Sequence, residues 1–359
     1  GDTGFSLFLR KAFIKGAGLT DAALDRPVIG ITDTGSAYNP CHGNAPQLIE
    51  AVKRGKTEDV IRILNLGDEF FEPLDAAIRA AYLEGGVAAL TAATRSFPRA
   101  VRLAVRFSGR APDAEAWIRE RSSRLIVEIA GATRDSVRGV LMNGLVEGRG
   151  PASIALDLIG RIDRQEARRV GGVIGLNNHL TGYLEAARAE LASGDASLMR
   201  NYLTRTLRDK RYDAAVRKAI DSGKPVATAA ADKAVSHYGD ALLRFRGEGI
   251  ARTEATAAFN AARHEAHAQM VAAGIVADED IARRWRSAGN DGRTRHTHEA
   301  MQDQTVAGMR EPFVSPSGAR LMHPGDTALG AGPEEVINCR CYEEIRIDHL
   351  AAQARRERA

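Results

Sequence analysis

The chain changes its hydrophobic rhythm twice. Near the start, Pro27-Val28-Ile29-Gly30-Ile31 is a short β-branched run bounded by Pro and Gly, the pattern of a buried strand. The turn-rich segment DTGSAYNPCHGN comes next, and Asn39-Pro40 breaks any helix there. Pro46 to Arg54 then sets Leu48, Ala51 and Val52 on one helical face. Residues 1–55 therefore read as a strand–loop–helix unit with Cys41 in its loop.

From Gly55 onward the period is helical. Val60, Ile63 and Leu64 mark a helix with Gly67 as its C-cap. Asp68 to Glu84 carries Phe71, Leu74, Ile78, Ala81 and Tyr82 at helical spacing, with Gly85-Gly86 as its expected end. Ile118, Leu125, Ile129, Val137, Val140, Leu141 and Leu145 form the stripe of a packed helix running from Trp117 to Leu145. Pro151 opens another, carrying Ile154, Leu158 and Ile162. Further helices are expected at 165–192, 196–222 and 230–247, then from about Gly249 to Ala273. No repeat period marks a solenoid. These stripes read as core positions rather than a cofactor box.

In the Gly249–Ala273 helix, Ile250, Ala257, Ala261 and Ala268 form an apolar side, while Arg252, Thr253, Glu254 and Asn260 are polar. Arg252 and Glu254 point about 200° apart on a helix, so each must bond to a neighbouring element rather than to the other. Two readings stay open, a bland surface helix and a buried polar anchor for the C-terminal module. His264 and His267, three residues apart, read as surface positions.

The rhythm is lost again from Trp285 to Cys341, a stretch rich in Gly, Pro and Asp. It holds two of the three cysteines and three of the nine histidines. Asp291, Arg293, Arg295, His296 and His298 crowd together, and Asp291 could cap a turn by accepting backbone N–H bonds. His298 with Cys339 and Cys341 offers one imidazole and two thiolates, and His323 or Asp291 is a candidate fourth ligand. Such N/S sets suit tetrahedral Zn²⁺, and a metal would order a small loop-rich module. The alternative is a hydrogen-bonded imidazole beside two buried thiols. Catalysis has less behind it: no cue for a substrate pocket accompanies the cysteines, and no G-x-S-x-G, Walker A, G-x-G-x-x-G or H-E-x-x-H motif is present.

Composition narrows the class. Hydrophobic content of 44% and charge of 27% are ordinary for a soluble globular chain, and aromatics at 5% favour Ala-rich helices over β-sandwiches. No apolar run approaches the roughly 20 residues of a membrane span, so no membrane partner is expected. The start is interrupted by charge, which argues against a secretory leader and for a cytosolic origin. Three cysteines do not make a disulfide framework. A net charge of +4 excludes a general polyanion binder. Arginines cluster at 99–110, 119–124, 161–169 and 205–217. Solvated helix faces with acidic partners are one reading of these, and contact with nucleic acid or an acidic protein is the other.

The motifs carry two resemblances. RPVIGITDTGSAYNPCHGNAPQLIEAVKRG resembles the N-terminal segment of the dihydroxy-acid and sugar-acid dehydratases, over residues 1–55. In that family the Cys of N-P-C is one of three thiolates holding an iron–sulfur cluster, which implies a ligand remnant at Cys41. The later cysteine motifs and Mg-binding acidic residues of the family are not found here, so a bound Fe–S cluster is not expected. A truncated, inactive iron–sulfur dehydratase is the alternative function; a dehydratase-like fragment joined to an unrelated protein is the preferred one.

The second resemblance covers about residues 55–347. LRDKRYDAAVRKAI, ALLRFRGEGIARTEATAAFNAAR, W-x-x-x-x-x-D-x-R-T-R-H-T-H and INCRC, in this order, are similar to the Mu-type phage minor head (head morphogenesis) family. Arg252, Thr253, Glu254, Asp291, Arg295, His298, Asn338, Cys339 and Cys341 fall on its signature positions. Asp303 in MQDQ departs from it, since relatives tend to carry Gly there, which bears on the local turn. The resemblance implies no established enzymatic activity. It implies a virion component, present in few copies, that joins the portal protein and capsid in the host cytoplasm during assembly. Contact with packaged double-stranded DNA, or ejection with it, belongs to the same expectation.

The expected fold is mainly α. A dehydratase-like fragment (1–55) precedes a multi-helix region (56–248), a small α+β module (249–347) and a basic tail (348–359).

Overall fold

The computed structural model describes residues 45–54, 57–64, 68–163, 168–288 and 292–358. The strand expected at 27–31, Cys41, the cap at Gly67 and Asp291 lie outside them. The described chain is mainly helical with a few antiparallel strands, as the periodicity predicts. No helix in it is long and apolar enough to cross a membrane. Its described residues divide into two units, one within 45–70 and 127–244, the other within 71–126 and 245–358. The second unit thus joins residues 71–126, which interrupt the first, to those from 245 onward.

In the first unit, α1 (Ala45–Lys53), α2 (Thr57–Ile63), the later part of α5 (Pro112–Val146), α6 (Pro151–Ile159), α7 (Asn178–Ala192), α8 (Ala196–Thr204), α9 (Asp213–Ser222) and the start of α10 (Thr228–Ala272) share one core. Leu48, Val60, Val137, Ile154, Leu158, Leu191, Met199 and Tyr202 sit at its centre. Asn177 caps α7 by accepting the Leu180 N–H at 3.0 Å, and Asp195 caps α8 through Ser197 and Leu198. The periodicity overruns here. Residues 161–163 and 168–170 are a two-stranded hairpin, β1 and β2, so Ile162 is not helical. The span 196–222 is broken between Thr204 and Asp213 by a turn that Asp209 caps. Buried Asp157 ties the hairpin to the helices, accepting from Arg149 at 2.6 Å, Arg188 at 2.7 Å and Arg161 at 3.2 Å.

In the second unit, α3 (Asp68–Ala93), α4 (Arg99–Ala104) and the start of α5 pack on the later turns of α10. Tyr82 and Ile118 meet Ala258, Ala261 and Ala262 in one cluster, and Leu90 and Phe97 meet Ala266 and Met270 in another. The expected stop at Gly85-Gly86 is not one, since α3 runs through to Ala93. Those glycines make room instead of ending the helix. A Cβ on Gly85 would lie 3.5 Å from the Phe259 backbone and the Ala262 methyl, and one on Gly86 would lie 2.3 Å from the Phe107 ring. Likewise 230–247 and 249–273 are not two helices but the single 45-residue α10, with Gly247 and Gly249 inside it.

After α10 the second unit becomes a small α+β module. Strand β3 (Ile281–Arg286) is central, flanked by antiparallel β4 (Thr305–Ala307) and β7 (Tyr342–Ile347). Its alternation buries Ile281, Arg283 and Trp285. A second hairpin, β5 (Phe313–Val314) with β6 (Arg320–Leu321), and the short helices α11 (His296–Ala300) and α12 (Pro333–Val336) complete it, before α13 (His349–Arg358). Asp303, at the turn before β4, adopts φ +64°, the left-handed region that glycine enters most easily. Its carboxylate accepts from Arg286.

Candidate metal centre

The site is built on the polar face of α10. Thr253 Oγ1 donates to the Gly249 carbonyl one turn back and accepts the Asn338 backbone N–H, each at 2.8 Å. Arg252 donates to Asn338 Oδ1 at 3.2 Å. Two turns on, fully buried Asn260 donates to the Cys341 carbonyl at 3.0 Å and accepts the Glu343 N–H at 3.4 Å. Glu254 turns away and takes a two-pronged, buried hydrogen bond from Arg121 of α5, at 2.6 and 3.1 Å. Arg295 donates to the Ile337 carbonyl. The polar residues of this helix thus anchor the segment 337–343, which settles the choice between surface helix and anchor.

That segment brings Cys339 and Cys341 to His298. All three are buried, and their ligand atoms lie within 4.8 Å of one another. His298 Nδ1 stands 3.6 Å from Cys339 Sγ and 3.5 Å from Cys341 Sγ. On the other side of the ring, Nε2 is 2.8 Å from Glu335 Oε2. Glu335 is itself buried on α12 and accepts from Ser317 at 2.7 Å and Ser315 at 3.1 Å, both in the β5–β6 turn. A carboxylate there assigns the Nε2–H tautomer and leaves the Nδ1 lone pair facing the sulfurs. Trp285 walls the site edge-on, its ring 5.0 Å from that of His298 and 5.4 Å from that of Phe313.

The electrostatics favour charge on this group. Burial works against the Glu335 charge, but hydrogen bonds from Ser317, His298 and Ser315 outweigh it and hold the carboxyl below its ordinary range. The hydrogen bond from Cys341 and the adjacent His298 bring Cys339 down to about 5. That same contact, with burial, pushes Cys341 up. The Trp285 indole N–H is directed at the Cys341 sulfur without closing a regular hydrogen bond, and with the Ala288 N–H it opposes the rise.

His323, the expected fourth ligand, does not join these three. Its Nδ1 lies 3.2 Å from the Pro324 carbonyl and its ring 5.7 Å from that of His264. The two histidines face Glu343, a fully buried carboxylate that His264 approaches at 3.4 Å and Arg283 at 3.5 Å. The cause is the turn after β6: Gly325, at φ +84°, brings this loop against the Ala257 backbone of α10. His264 and His267 are not surface residues either, since that face of α10 packs on β7 and leaves His267 only 4% exposed. Asp291 is outside the described residues, so among them three donors converge.

Nothing in the periodicity marks Glu335, Arg121 or Arg283, which stand far in sequence from their partners. Arg283 is fully buried and donates to the carbonyls of Gly308 at 2.5 Å, Met322 at 2.6 Å and Glu311. Its one signal is its parity with Ile281 and Trp285 on an alternating strand.

Residues 210–343 match the family described as Phage Mu protein F like protein. The match covers less than half of the chain, includes all of α10 and the three candidate metal ligands, and leaves residues 1–55 outside it. No curated protein and no solved structure matches the chain.

Proposed function

We propose that this chain is a minor head protein of a phage or prophage that acts structurally in capsid assembly, at the portal. The observation that carries the reading is that the Mu F-like match takes in the whole of α10 and most of the α+β module that its polar face anchors. The match runs from Lys210 to Glu343, and its last residues are the segment that Arg252, Thr253 and Asn260 hold against α10. Between them these residues fix the α10-to-β7 geometry of the module, which suits a docking element. The test is to tag the chain in a phage or prophage that encodes it and to purify assembled heads. Co-purification in few copies per head, with portal cross-links and defective heads on deletion, is expected. Normal heads without the chain would exclude the reading.

Contact with packaged double-stranded DNA is the finer part of the proposal. The arginines of the cluster at 205–217 are neutralised, Arg205 by Glu190, Arg208 and Arg217 by Asp213 and Arg211 by Asp209, and Arg161 is neutralised by Asp157. The cluster around α4 differs. Arg95, Arg99, Arg102, Arg106 and Arg110 are all exposed and form no ion pair among the described residues. A row of unneutralised guanidinium groups favours a polyanion. No dehydratase role is assigned, since Cys41 lies outside both the match and the described residues.

A further inference from the structure

We propose that His298, Cys339 and Cys341 bind one Zn²⁺ ion, with Glu335 positioning the imidazole, and that this ion fastens the module together. The distances carry the proposal. Tetrahedral zinc with Zn–S of about 2.3 Å and Zn–N of about 2.0 Å places a ligating sulfur about 3.5 Å from a ligating nitrogen. The two sulfurs here stand 3.6 and 3.5 Å from Nδ1. A metal-free packing explains this less well. Without a metal, the Nδ1 lone pair accepts one S–H and the other thiol donates to its neighbour's sulfur, which gives no reason for both sulfurs to approach Nδ1 at nearly equal distance. A cation between the three satisfies all of them.

The surroundings supply what a zinc site requires. Metal-ligating histidines characteristically donate their second N–H to a carboxylate, which fixes the ring and raises its basicity. His298 does this to Glu335, and Ser315 and Ser317 hold that carboxylate in turn. The donor set of one imidazole and two thiolates selects zinc over the hard cations Mg²⁺ and Ca²⁺. The ligands come from α11 and from the segment leading into β7, while the positioning groups come from α12 and the β5–β6 turn. A single ion would therefore cross-link four short pieces whose shared apolar core is small, centred on Trp285, Met301, Phe313 and Leu321.

The experiment is metal analysis of the full chain, purified without chelator from zinc-replete cells, followed by Co²⁺ substitution. About one zinc per chain is expected, and Co²⁺ should give a thiolate-to-metal charge-transfer band with tetrahedral d–d bands. His298→Ala and Cys339→Ser should abolish both signals. Because those changes also disturb the core, three further variants sharpen the outcome. Glu335→Gln should keep the stoichiometry but weaken zinc binding by about 10- to 100-fold, and His323→Gln and Cys41→Ser should leave it unchanged. Chain without zinc and without a Co²⁺ charge-transfer band overturns the site. Zinc that survives in a folded Cys339→Ser variant, or is lost in Cys41→Ser, places the ion elsewhere and overturns it equally. Unchanged affinity in Glu335→Gln removes the positioning role.

Discussion

The backbone N–H of Asn338 donates to the hydroxyl of Thr253 at 2.8 Å, joining positions 85 residues apart in sequence. Asn338 is held there at φ +55°, a left-handed conformation that Asn tolerates better than most residues. Its side chain returns to the same helix through Arg252. Two stretches that look unrelated along the chain are therefore one latch, and the latch sets where Cys339 and Cys341 lie.

Substitution at Asn338 separates the two halves of this latch. Asn338→Gly keeps the backbone conformation and loses only the exposed contact to Arg252, so a loss of no more than about 1 kcal/mol is expected. Asn338→Ala loses that contact and adds left-handed strain, for a total of about 1–3 kcal/mol. Urea unfolding of both variants measures the difference. Equal midpoints would show that the conformation is not strained for Ala.

Much of the fold is legible along the chain. The apolar stripes give the helices, and the odd set of Arg252, Thr253, Glu254 and Asn260 announces a polar face that must bond elsewhere. His298, Cys339 and Cys341 can be picked out by donor chemistry alone. What a stripe does not reveal is the surface it meets. Gly85-Gly86 has the look of a helix stop because the ring of Phe107 and the backbone of Phe259, which require the missing side chains, are remote in sequence. Glu335 is hidden for the same reason, its partners lying 18 to 37 residues away. His323 misleads because its ligand type is visible in the sequence while the Gly325 turn that carries it to Glu343 is not.

The buried pair of Arg121 and Glu254 makes a second test. Side-chain exposures of 8% and 10% mean that either charge, left alone, has little water to replace its partner. Glu254→Met or Arg121→Met alone should cost about 3–5 kcal/mol, and the two together less than the sum of the single changes. A thermal double-mutant cycle gives the coupling. Additive losses would mean that the pair is solvated after all.

Acid should loosen the second unit through its buried histidines. Burial lowers the pKa of His267 below the ordinary 6.5, against smaller opposing effects from the Arg263 carbonyl and Glu343. His323 is lowered for the same reason, with Asp326 and Glu343 opposing and His264 adding to the shift. Folded chain then binds fewer protons than unfolded chain below the unfolded value. The stabilisation is complete above about pH 6.5 and is lost as the pH falls through the lower folded values. Tm should drop between pH 7 and 5, and His267→Gln should flatten the slope. A Tm independent of pH in that window would contradict the shifts.

Glycines in the first unit should respond in opposite directions. Gly172 lies at φ +93°, and a Cβ there would meet the Leu158 carbonyl and the Gly160 nitrogen at 2.8 Å, backbone atoms that cannot rotate aside. Gly172→Ala should therefore destabilise by about 2 kcal/mol or more. Gly131 is helical in α5 with nothing within 4 Å of its added Cβ, so Gly131→Ala should stabilise by about 0.5–1 kcal/mol. Chemical denaturation resolves both signs.

The arginine row around α4 offers a test in which fold and function separate. Arg99, Arg102 and Arg106 are exposed and unpaired by carboxylates among the described residues, so replacing them by Ala should leave Tm unchanged. If they contact phosphate, each releases counterions, and the slope of log affinity for duplex DNA against log salt should fall by about 0.9 per arginine removed. A triple variant would then bind less tightly at low salt and depend less steeply on salt, while sequence preference stays absent. Fluorescence anisotropy with a random-sequence duplex across a salt series reads both quantities. Binding by the unaltered chain that does not weaken with salt would exclude DNA contact through this surface, and with it the finer half of the proposed function.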